Sequence, residues 1–267
     1  MNIQLLSKPD PSIHPKIQVL LNRGIHPQDI QYYLSANINT INPPEAFGVD
    51  LLVRAEEMIE RHYNNNDQIL VVVDSDCDGF TSSAILINFL RKQYEGINLN
   101  YIFHEGKAHG LQEHMNYITR NNDKLIIVPD AGSGDYDQVE ELKILGREVL
   151  ILDHHPVDKL ADTLVINNQH SNYPNKDFSG AGVVWQLCRF INPELAMKYI
   201  DLCSVGNLGD MMDIRNPETK AVIFEGLKEE NIRNPLLYMN ILKNEYSYTK
   251  ADYNVSDKNG LQVRPIS

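Results

Sequence analysis

Acidic and histidine side chains follow three apolar segments of this sequence, and their types are those that bind divalent metal ions. These residues are Asp74, Asp76, Asp78, Asp130 and the triplet Asp153, His154 and His155. Carboxylate oxygens and imidazole nitrogens together suit manganese or magnesium. The pattern therefore predicts a centre for two divalent cations, with Mn²⁺ preferred and Mg²⁺ as the alternative.

Each acidic group begins directly after, or within two residues of the end of, a predicted strand. The strands cover 69–73, 125–128 and 148–152, and all three are short, continuous apolar segments. The carboxyl ends of parallel strands form the crevice in which open α/β sheets bind their ligands. We expect the acids to meet there, where their like charges would repel each other strongly unless a cation lies between them.

The rest of the chain predicts an α/β fold with a mostly parallel β-sheet covered by helices on both faces, preceded by a short N-terminal helical arm. Further strands are predicted at 99–103 and 163–166, and helices at 49–62, 80–94, 136–145, 182–191, 194–207, 217–227 and 235–243. The predicted units are the arm at 1–45, the catalytic domain at 46–243 and a linker or tail at 244–267.

The residue types suggest a division of roles within the centre. Asp130, alone after its strand, is the natural bridging ligand between two ions. His154 would bind a metal, Asp153 would fix the tautomer of His154 or support the cluster, and His155 would face the substrate phosphate. A calcium loop is the alternative interpretation of Asp74 to Asp78, but position 85, where such a loop needs Glu, is Ile.

Several other residues keep two interpretations at this point. Lys107 is a candidate phosphate contact or a solvated surface lysine. Ser179, Gly180 and Gly182 either offer N–H groups to a substrate anion at a helix N-terminus or serve capping and close packing. Asp210 is either a metal ligand or an ordinary acid at a helix end.

Composition narrows the class of protein. The net charge of −12 weighs against a long nucleic-acid footprint, but bound cations reverse the sign of an acidic centre locally. The three cysteines, at 77, 188 and 203, form no disulfide or zinc pattern, so we expect a cytoplasmic protein. No segment approaches the roughly 18 apolar residues that cross a membrane, so no membrane partner is expected.

The order of these groups resembles the DHH phosphoesterase superfamily, and the details of the motifs resemble its RecJ-like branch of single-strand-specific 5′→3′ exonucleases. The resemblance covers about residues 20–230. The matching segments are 20–25, 73–81, 128–132, 152–156, 166–168, 178–183 and 206–210. It implies that Asp210 is a metal ligand. Val72 stands where many members have a histidine, and the RecJ-like motif implies that Asp74 replaces that ligand.

The resemblance implies a two-metal displacement at phosphorus that needs no protein base. We assign Asp74, Asp76 and Asp130 to one ion, and Asp78, Asp130, His154 and Asp210 to the other. His155 would stabilise phosphate oxygens or assist the leaving oxygen, with Asp153 beside it.

The expected substrate is single-stranded DNA or a short oligonucleotide. The superfamily also includes phosphodiesterases for cyclic dinucleotides and pyrophosphatases, and a non-catalytic scaffold is a third hypothesis that the intact acidic set argues against. RecJ-like enzymes carry a further DHHA1-type domain that contacts the substrate. The resemblance covers only about residues 20–230, before the point where that domain would begin. We therefore expect this chain to be a fragment, a minimal form, or half of a split enzyme whose protein partner supplies that domain.

Overall fold

Five parallel strands form the centre of the protein. The computed structural model describes residues 8, 10–104 and 109–233. The strands are β1 (Ile69–Val73), β2 (Leu99–Phe103), β3 (Leu125–Pro129), β4 (Glu148–Asp153) and β5 (Leu164–Asn167). They lie in the order β2-β1-β3-β4-β5, with every neighbouring pair parallel. The predicted α/β class and parallel sheet are confirmed.

Successive side chains of each strand point to opposite faces of the sheet, and they contribute to two apolar cores, one on each face. In β1, Val71 points into one apolar cluster while Val72 points into the other. Because successive side chains of a strand lie on opposite faces, a strand buried on both faces must be apolar at every position. All five residues of β1 and of β3 are buried for this reason.

Ten α-helices accompany the sheet in the described part of the chain. They are α1 (Pro15–Asn22), α2 (Ile30–Leu34), α3 (Val49–Asn64), α4 (Cys77–Gln93), α5 (Met115–Arg120), α6 (Tyr136–Ile144), α7 (Gly180–Ile191), α8 (Pro193–Ala196), α9 (Ile200–Gly209) and α10 (Pro217–Gly226). Helices α3, α4 and α7 contribute to the larger core, and α5 and α6 to the smaller one. Helices thus cover both faces, as predicted.

Two helix predictions need correction. The helix predicted at 80–94 begins three residues earlier, at Cys77, because the Asp76 side chain caps it and draws the acidic segment into its first turn. The helix predicted at 194–207 is interrupted by a 3₁₀ turn at Met197–Tyr199. Helix α5 had no predicted counterpart, and the helix predicted at 235–243 lies outside the described residues.

Short helices precede the sheet domain, in the region of the predicted arm. Helices α1 and α2 pack on each other through a small apolar cluster that contains Ile25, Ile30 and Tyr33. Lys220 of α10 donates to the Tyr33 carbonyl and lies 4.1 Å from the centre of its ring. The boundaries 1–45, 46–243 and 244–267 stay predictions. Across the ranges that the structure describes, no helix has the length and apolar character to span a bilayer.

Candidate metal centre

The ends of three neighbouring strands bring three buried carboxylates to one edge of the sheet. Asp74 follows β1, Asp130 follows β3 and Asp153 ends β4, and each is only 1% exposed. The parallel register sets their positions: the Asp130 N–H donates to the Leu152 carbonyl at 2.8 Å, so Asp130 still lies beside β4. Burying several carboxylates together is costly without a compensating cation.

The segment from Asp74 to Asp78 is divided between a strand end and a helix start. Asp76 is the N-cap of α4, and its Oδ1 accepts the Gly79 N–H at 2.8 Å. Asp78 lies in the first turn and is buried. A Cβ on Gly79 would lie 2.5 Å from the Asp74 Cβ, so only glycine lets the helix start this close to the end of β1.

The N-terminus of α7 holds the Asp78 carboxylate. Asp78 Oδ2 accepts the Gly180 N–H at 2.6 Å, and its Oδ1 accepts the Ala181 N–H at 3.0 Å. Unpaired N–H groups and the positive end of the helix dipole favour an anion at this position. The anion bound here is therefore a side chain of the protein itself.

This geometry bears on the three residues of the α7 N-terminus that were candidates for substrate binding. Ser179 is the N-cap, and its Oγ accepts the Gly182 N–H at 3.4 Å. Ser179 is fully buried, and Gly180 and Gly182 are buried as well. Their hydrogen bonds correspond to the capping and packing interpretation. A substrate anion would have to displace Asp78 to reach the Gly180 N–H.

Asp130 has an unusual backbone conformation and an unusual carboxyl group. Its φ of 66° lies in the left-handed region, which non-glycine residues adopt at a cost. Among the described residues, none donates a hydrogen bond to its buried Oδ1. Burial, followed by the charge of the neighbouring Asp78, raises the pKa of the Asp130 carboxyl far above its ordinary value. Such a group needs either a proton or a metal ion.

His154 points one ring nitrogen at the acids. Its Nε2 lies 3.3 Å from Asp130 Oδ1, 3.4 Å from Asp210 Oδ2 and 3.8 Å from Asp78 Oδ2. Within the described ranges this buried nitrogen makes no hydrogen bond. Several acceptors and one imidazole nitrogen that surround a common point, without bonding each other, are the arrangement expected of metal ligands.

Asp210 reaches this group from a different part of the chain. It is the C-cap residue that follows α9, and its side chain is 31% exposed. Helix α9 can approach Asp78 and the start of α7 closely because residue 206 is a glycine. A Cβ on Gly206 would contact the Asp78 carboxylate and lie 2.5 Å from the Ala181 Cβ. Burial raises the pKa of Asp210, an effect that the charge of His154 opposes.

Asp153 is engaged by the two histidines that follow it. Its Oδ1 accepts the His154 N–H at 2.7 Å and lies 2.8 Å from His155 Nδ1, while its Oδ2 accepts the Ser133 N–H at 3.0 Å. Burial alone would raise the pKa of Asp153, but the hydrogen bond and charge of His155 and the Ser133 hydrogen bond lower it to about 2. The same contact raises the pKa of His155, whose side chain is 49% exposed.

Potential ligand atoms fall into groups whose members lie within 4.8 Å of one another. One group is Asp74, Asp76 and Asp130; another is Asp78, His154 and Asp210; a third joins Asp130 with His154 and His155. Asp130 Oδ1 and His154 Nε2, which are buried and have no hydrogen-bond partner among the described residues, belong to residues of these groups. The donor set therefore fits divalent cations that accept oxygen and imidazole ligands, such as Mn²⁺ and Mg²⁺.

His109 is a residue of the centre that sequence reasoning missed. Its Nδ1 lies 2.5 Å from Asp74 Oδ2, although 35 positions separate the two residues. Earlier in the chain, His104 Nδ1 lies 2.9 Å from Glu113 Oε2. A lone histidine in a loop gave no signal of this contact. Lys107, the candidate phosphate contact in the same segment, lies outside the described residues.

Aromatic side chains line a groove beside the acidic centre. Phe80 follows Gly79 directly on α4, and Tyr101 and Phe103 project from β2, the edge strand of the sheet. The three are 44–50% exposed. Trp185, by contrast, is fully buried and belongs to the core.

Comparisons with known proteins agree with this architecture. Residues 68–207 match the family model described as DHH family, N-terminal domain. The SPbeta prophage-derived protein YorK of Bacillus subtilis, named provisionally as a single-strand DNA-specific exonuclease, is 36% identical over 264 residues. The match covers 96% of this chain and 44% of YorK. The single-stranded-DNA-specific exonuclease RecJ of B. subtilis is 26% identical over 226 residues, which are 82% of this chain and 27% of RecJ.

Solved structures share this fold. An exonuclease RecJ bound to manganese has a TM-score of 0.59 and 26% identity, over 66% of this chain and 47% of that one. RecJ of Thermus thermophilus in complex with Mn²⁺ also has a TM-score of 0.59, with 24% identity over 70% of this chain and 28% of that one. The chain spans less than half the length of these relatives. With the acidic centre at the carboxyl ends of a parallel sheet and the matched region at 68–207, the chain belongs to the DHH family.

Proposed function

We propose that this protein is a metal-dependent hydrolase that cleaves single-stranded DNA from a 5′ end and uses two divalent cations, with Mn²⁺ preferred. The observation that carries the proposal is the convergence of Asp130, His154 and their neighbouring carboxylates, with two buried atoms that lack partners in the described chain. The names of the similar proteins YorK and RecJ support single-stranded DNA as the substrate.

Two ligand sets share one residue in this proposal. Asp74 and Asp76 would hold one ion with Asp130, and Asp78, His154 and Asp210 would hold the other, also with Asp130. Bound divalent cations polarise the scissile phosphate and lower the pKa of a bound water toward neutrality. Asp130 follows the central strand β3 and lies close to Asp74, Asp76 and His154, which supports its role as the shared ligand.

His155 and Asp153 act on the substrate side of the centre. The hydrogen bond between His155 Nδ1 and Asp153 raises the pKa of His155, which favours the charged form of the ring, in which Nε2 is also a donor. His155 is half exposed, which leaves that donor accessible to a phosphate. In the proposed reaction it stabilises negative charge on the phosphate oxygens and supplies a proton to the leaving oxygen.

Digestion of labelled DNA by the purified protein tests the proposal. Single-stranded and duplex DNA, labelled at either end, would be incubated with Mn²⁺, Mg²⁺ or EDTA, alongside dinucleotides and pyrophosphate. We expect mononucleotide release from the 5′ end of single strands, fastest in Mn²⁺ and absent in EDTA. The Asp130→Asn variant should lose this activity, whereas the matched control Asp158→Asn changes an exposed aspartate and should keep it.

The other substrates decide between hypotheses. Hydrolysis of dinucleotides alone would replace DNA with a short-oligonucleotide substrate, which the net charge of −12 would accommodate. Release from the 3′ end would reverse the proposed polarity. An Asp130→Asn variant with normal turnover in Mn²⁺ would overturn the assignment of the centre.

A further inference from the structure

The groove between α4 and β2 is lined by aromatic side chains with large exposed surfaces. Phe80 is 47% exposed, Tyr101 44% and Phe103 50%. Ring centres are 5.9 Å apart for Phe80 and Phe103 and 5.3 Å apart for Tyr101 and Phe103, so the three form one continuous surface. Exposed apolar residues are ordinary when scattered, but a contiguous set beside a cleft indicates a binding surface.

Two sequence periods build this surface. Phe80, Ile87 and Arg91 recur on one side of α4 at helical spacing, and Tyr101 and Phe103 lie two positions apart on β2. Neither Tyr101 nor Phe103 is part of the larger core. Leu99, on the same face of β2, already fills the buried position there. Packing therefore does not account for two large aromatics on an edge strand.

The groove leads toward the acidic centre. Phe103 pairs in register with Val73, the residue before Asp74, and Phe80 follows the acidic motif directly. At the far end, the Arg91 guanidinium lies 5.8 Å from the centre of the Tyr101 ring. The volume of the groove is about 240 Å³. The aromatic end thus adjoins the proposed scissile position, and the cationic end lies farther along.

We infer that this groove binds the bases of a single strand, with those that follow the scissile phosphate stacking on Phe80, Phe103 and Tyr101 while Arg91 contacts the backbone. The inference rests on the proposed nuclease function for the direction of the strand. Aromatic faces accept every base and arginine attracts phosphate, which is the chemistry of sequence-independent single-strand binding. A duplex keeps its bases stacked on each other and cannot use such a surface.

Steady-state kinetics with oligonucleotides of different length test the inference. The variants are Phe103→Leu and Tyr101→Leu, separately and together, because leucine keeps an apolar side chain and removes the flat ring. We expect KM for a 12-nucleotide strand to rise on the order of tenfold per ring, with kcat little changed. KM for a dinucleotide should change least, since it occupies little of the groove.

The matched controls remove exposed aromatic rings elsewhere. Tyr32→Leu and Phe224→Leu change side chains that are 56% and 61% exposed and lie outside the groove, so KM should stay at the wild-type value. Equal KM values for the groove variants and these controls would overturn the inference. So would an equal rise in KM for the dinucleotide and the 12-nucleotide strand.

A binding measurement separates this inference from the proposed function. A single strand that carries the fluorescent base 2-aminopurine is titrated with the protein in EDTA, where no hydrolysis occurs. Stacking should quench the fluorescence with the wild-type chain and quench it less with the double leucine variant. Quenching without any metal-dependent hydrolysis would overturn the proposed function alone, whereas hydrolysis with unaltered quenching in the variant would overturn the groove alone.

Discussion

Gly180 packs directly against Asp130, so that a Cβ at position 180 would lie 2.7 Å from the Asp130 Cβ. The same glycine donates its N–H to Asp78. One residue without a side chain thus sets the distance between two of the carboxylates and lets the N-terminus of α7 enter the acidic centre.

Gly180→Ala should impair catalysis because the methyl group would push Asp130 away from His154. A misplacement of about 1 Å can lower activity on the order of 100-fold. Alanine ordinarily stabilises a helix by about 1 kcal/mol over glycine, so a stability below that of wild type would itself report the clash. Initial rates in Mn²⁺ and thermal unfolding provide the two measurements.

Gly134→Ala is the matched control for that substitution. A Cβ there would meet Val157 at 3.5 Å, an ordinary contact, and the residue lies in the loop that follows Asp130. Its activity should stay near wild type. Unchanged activity in Gly180→Ala would mean that the centre tolerates displacement of Asp130.

Asp130→Asn should stabilise the protein in EDTA while it removes the response to metal. Burial and the Asp78 charge both disfavour the ionised form of Asp130. Replacing it with a neutral amide should raise the free energy of unfolding by more than about 1.4 kcal/mol, the equivalent of one pKa unit. Denaturant unfolding at neutral pH, with and without Mn²⁺, measures both effects.

The wild-type chain should show the opposite behaviour: lower stability in EDTA and a clear gain in Mn²⁺. A loss of stability in EDTA for Asp130→Asn would contradict this expectation, because a neutral amide would then be less favourable at this position than the carboxyl group whose pKa burial raises. If the variant kept the full gain from Mn²⁺, Asp130 would not be a ligand.

His109→Ala should weaken the response to Mn²⁺ by about 10- to 100-fold, the usual effect of losing a partner that orients a metal ligand. The reason is the contact of 2.5 Å between His109 Nδ1 and Asp74 Oδ2. The measurement is the Mn²⁺ concentration at half-maximal activity. His26→Ala, which removes an exposed histidine of the arm, is the control. Identical Mn²⁺ dependence in both variants would exclude a role for His109.

Asp153→Asn should lower the free energy of unfolding over a pH range that is set by the shifted pKa values of Asp153 and His155. The pKa of Asp153 is lowered to about 2, so its contribution is present above the ordinary pKa of 3.8 and is lost as the pH falls through about 2. The pKa of His155 is raised, so its contribution is present below its ordinary value of 6.5 and is lost as the pH rises through the raised value.

Both contributions are present near pH 6. There the variant should be less stable than wild type by about 2 kcal/mol, and the difference should shrink as the pH falls below 4. Urea unfolding in EDTA at pH 6 and pH 3 measures the change, with Asp158→Asn as the control. A constant difference at both values would contradict the proposed charge pairing of Asp153 and His155.

The positions of β1, β3, β4 and β5 could be predicted from the sequence because a strand buried on both faces must be apolar almost throughout, whereas β2 is an edge strand with exposed residues. Each predicted strand lies within one residue of its observed bounds; β3, for example, extends only to Pro129. The start of α4 could not be predicted as well. The helix was predicted to begin at residue 80, after the alternating acids, whereas the Asp76 side chain caps the helix and allows it to begin at Cys77.

Contacts between distant positions account for what the sequence did not reveal about the centre. The hydrogen bonds from the Gly180 and Ala181 N–H groups to Asp78 span more than 100 positions, and nothing local indicates that a side chain occupies that helix N-terminus. The contact between His109 and Asp74 could not be predicted for the same reason. The assignment of individual residues to ions stays a prediction.

Two backbone N–H groups of α7 donate to the Asp78 carboxylate and hold it in one position. A carboxylate already fixed by the backbone cannot swing out to capture an ion or follow it on departure. Its partial neutralisation by those donors also weakens its pull on a cation. We therefore expect that, in the proposed centre, the Asp78 carboxylate would hold a cation from this fixed position, with the same side-chain conformation in the metal-free and metal-bound protein.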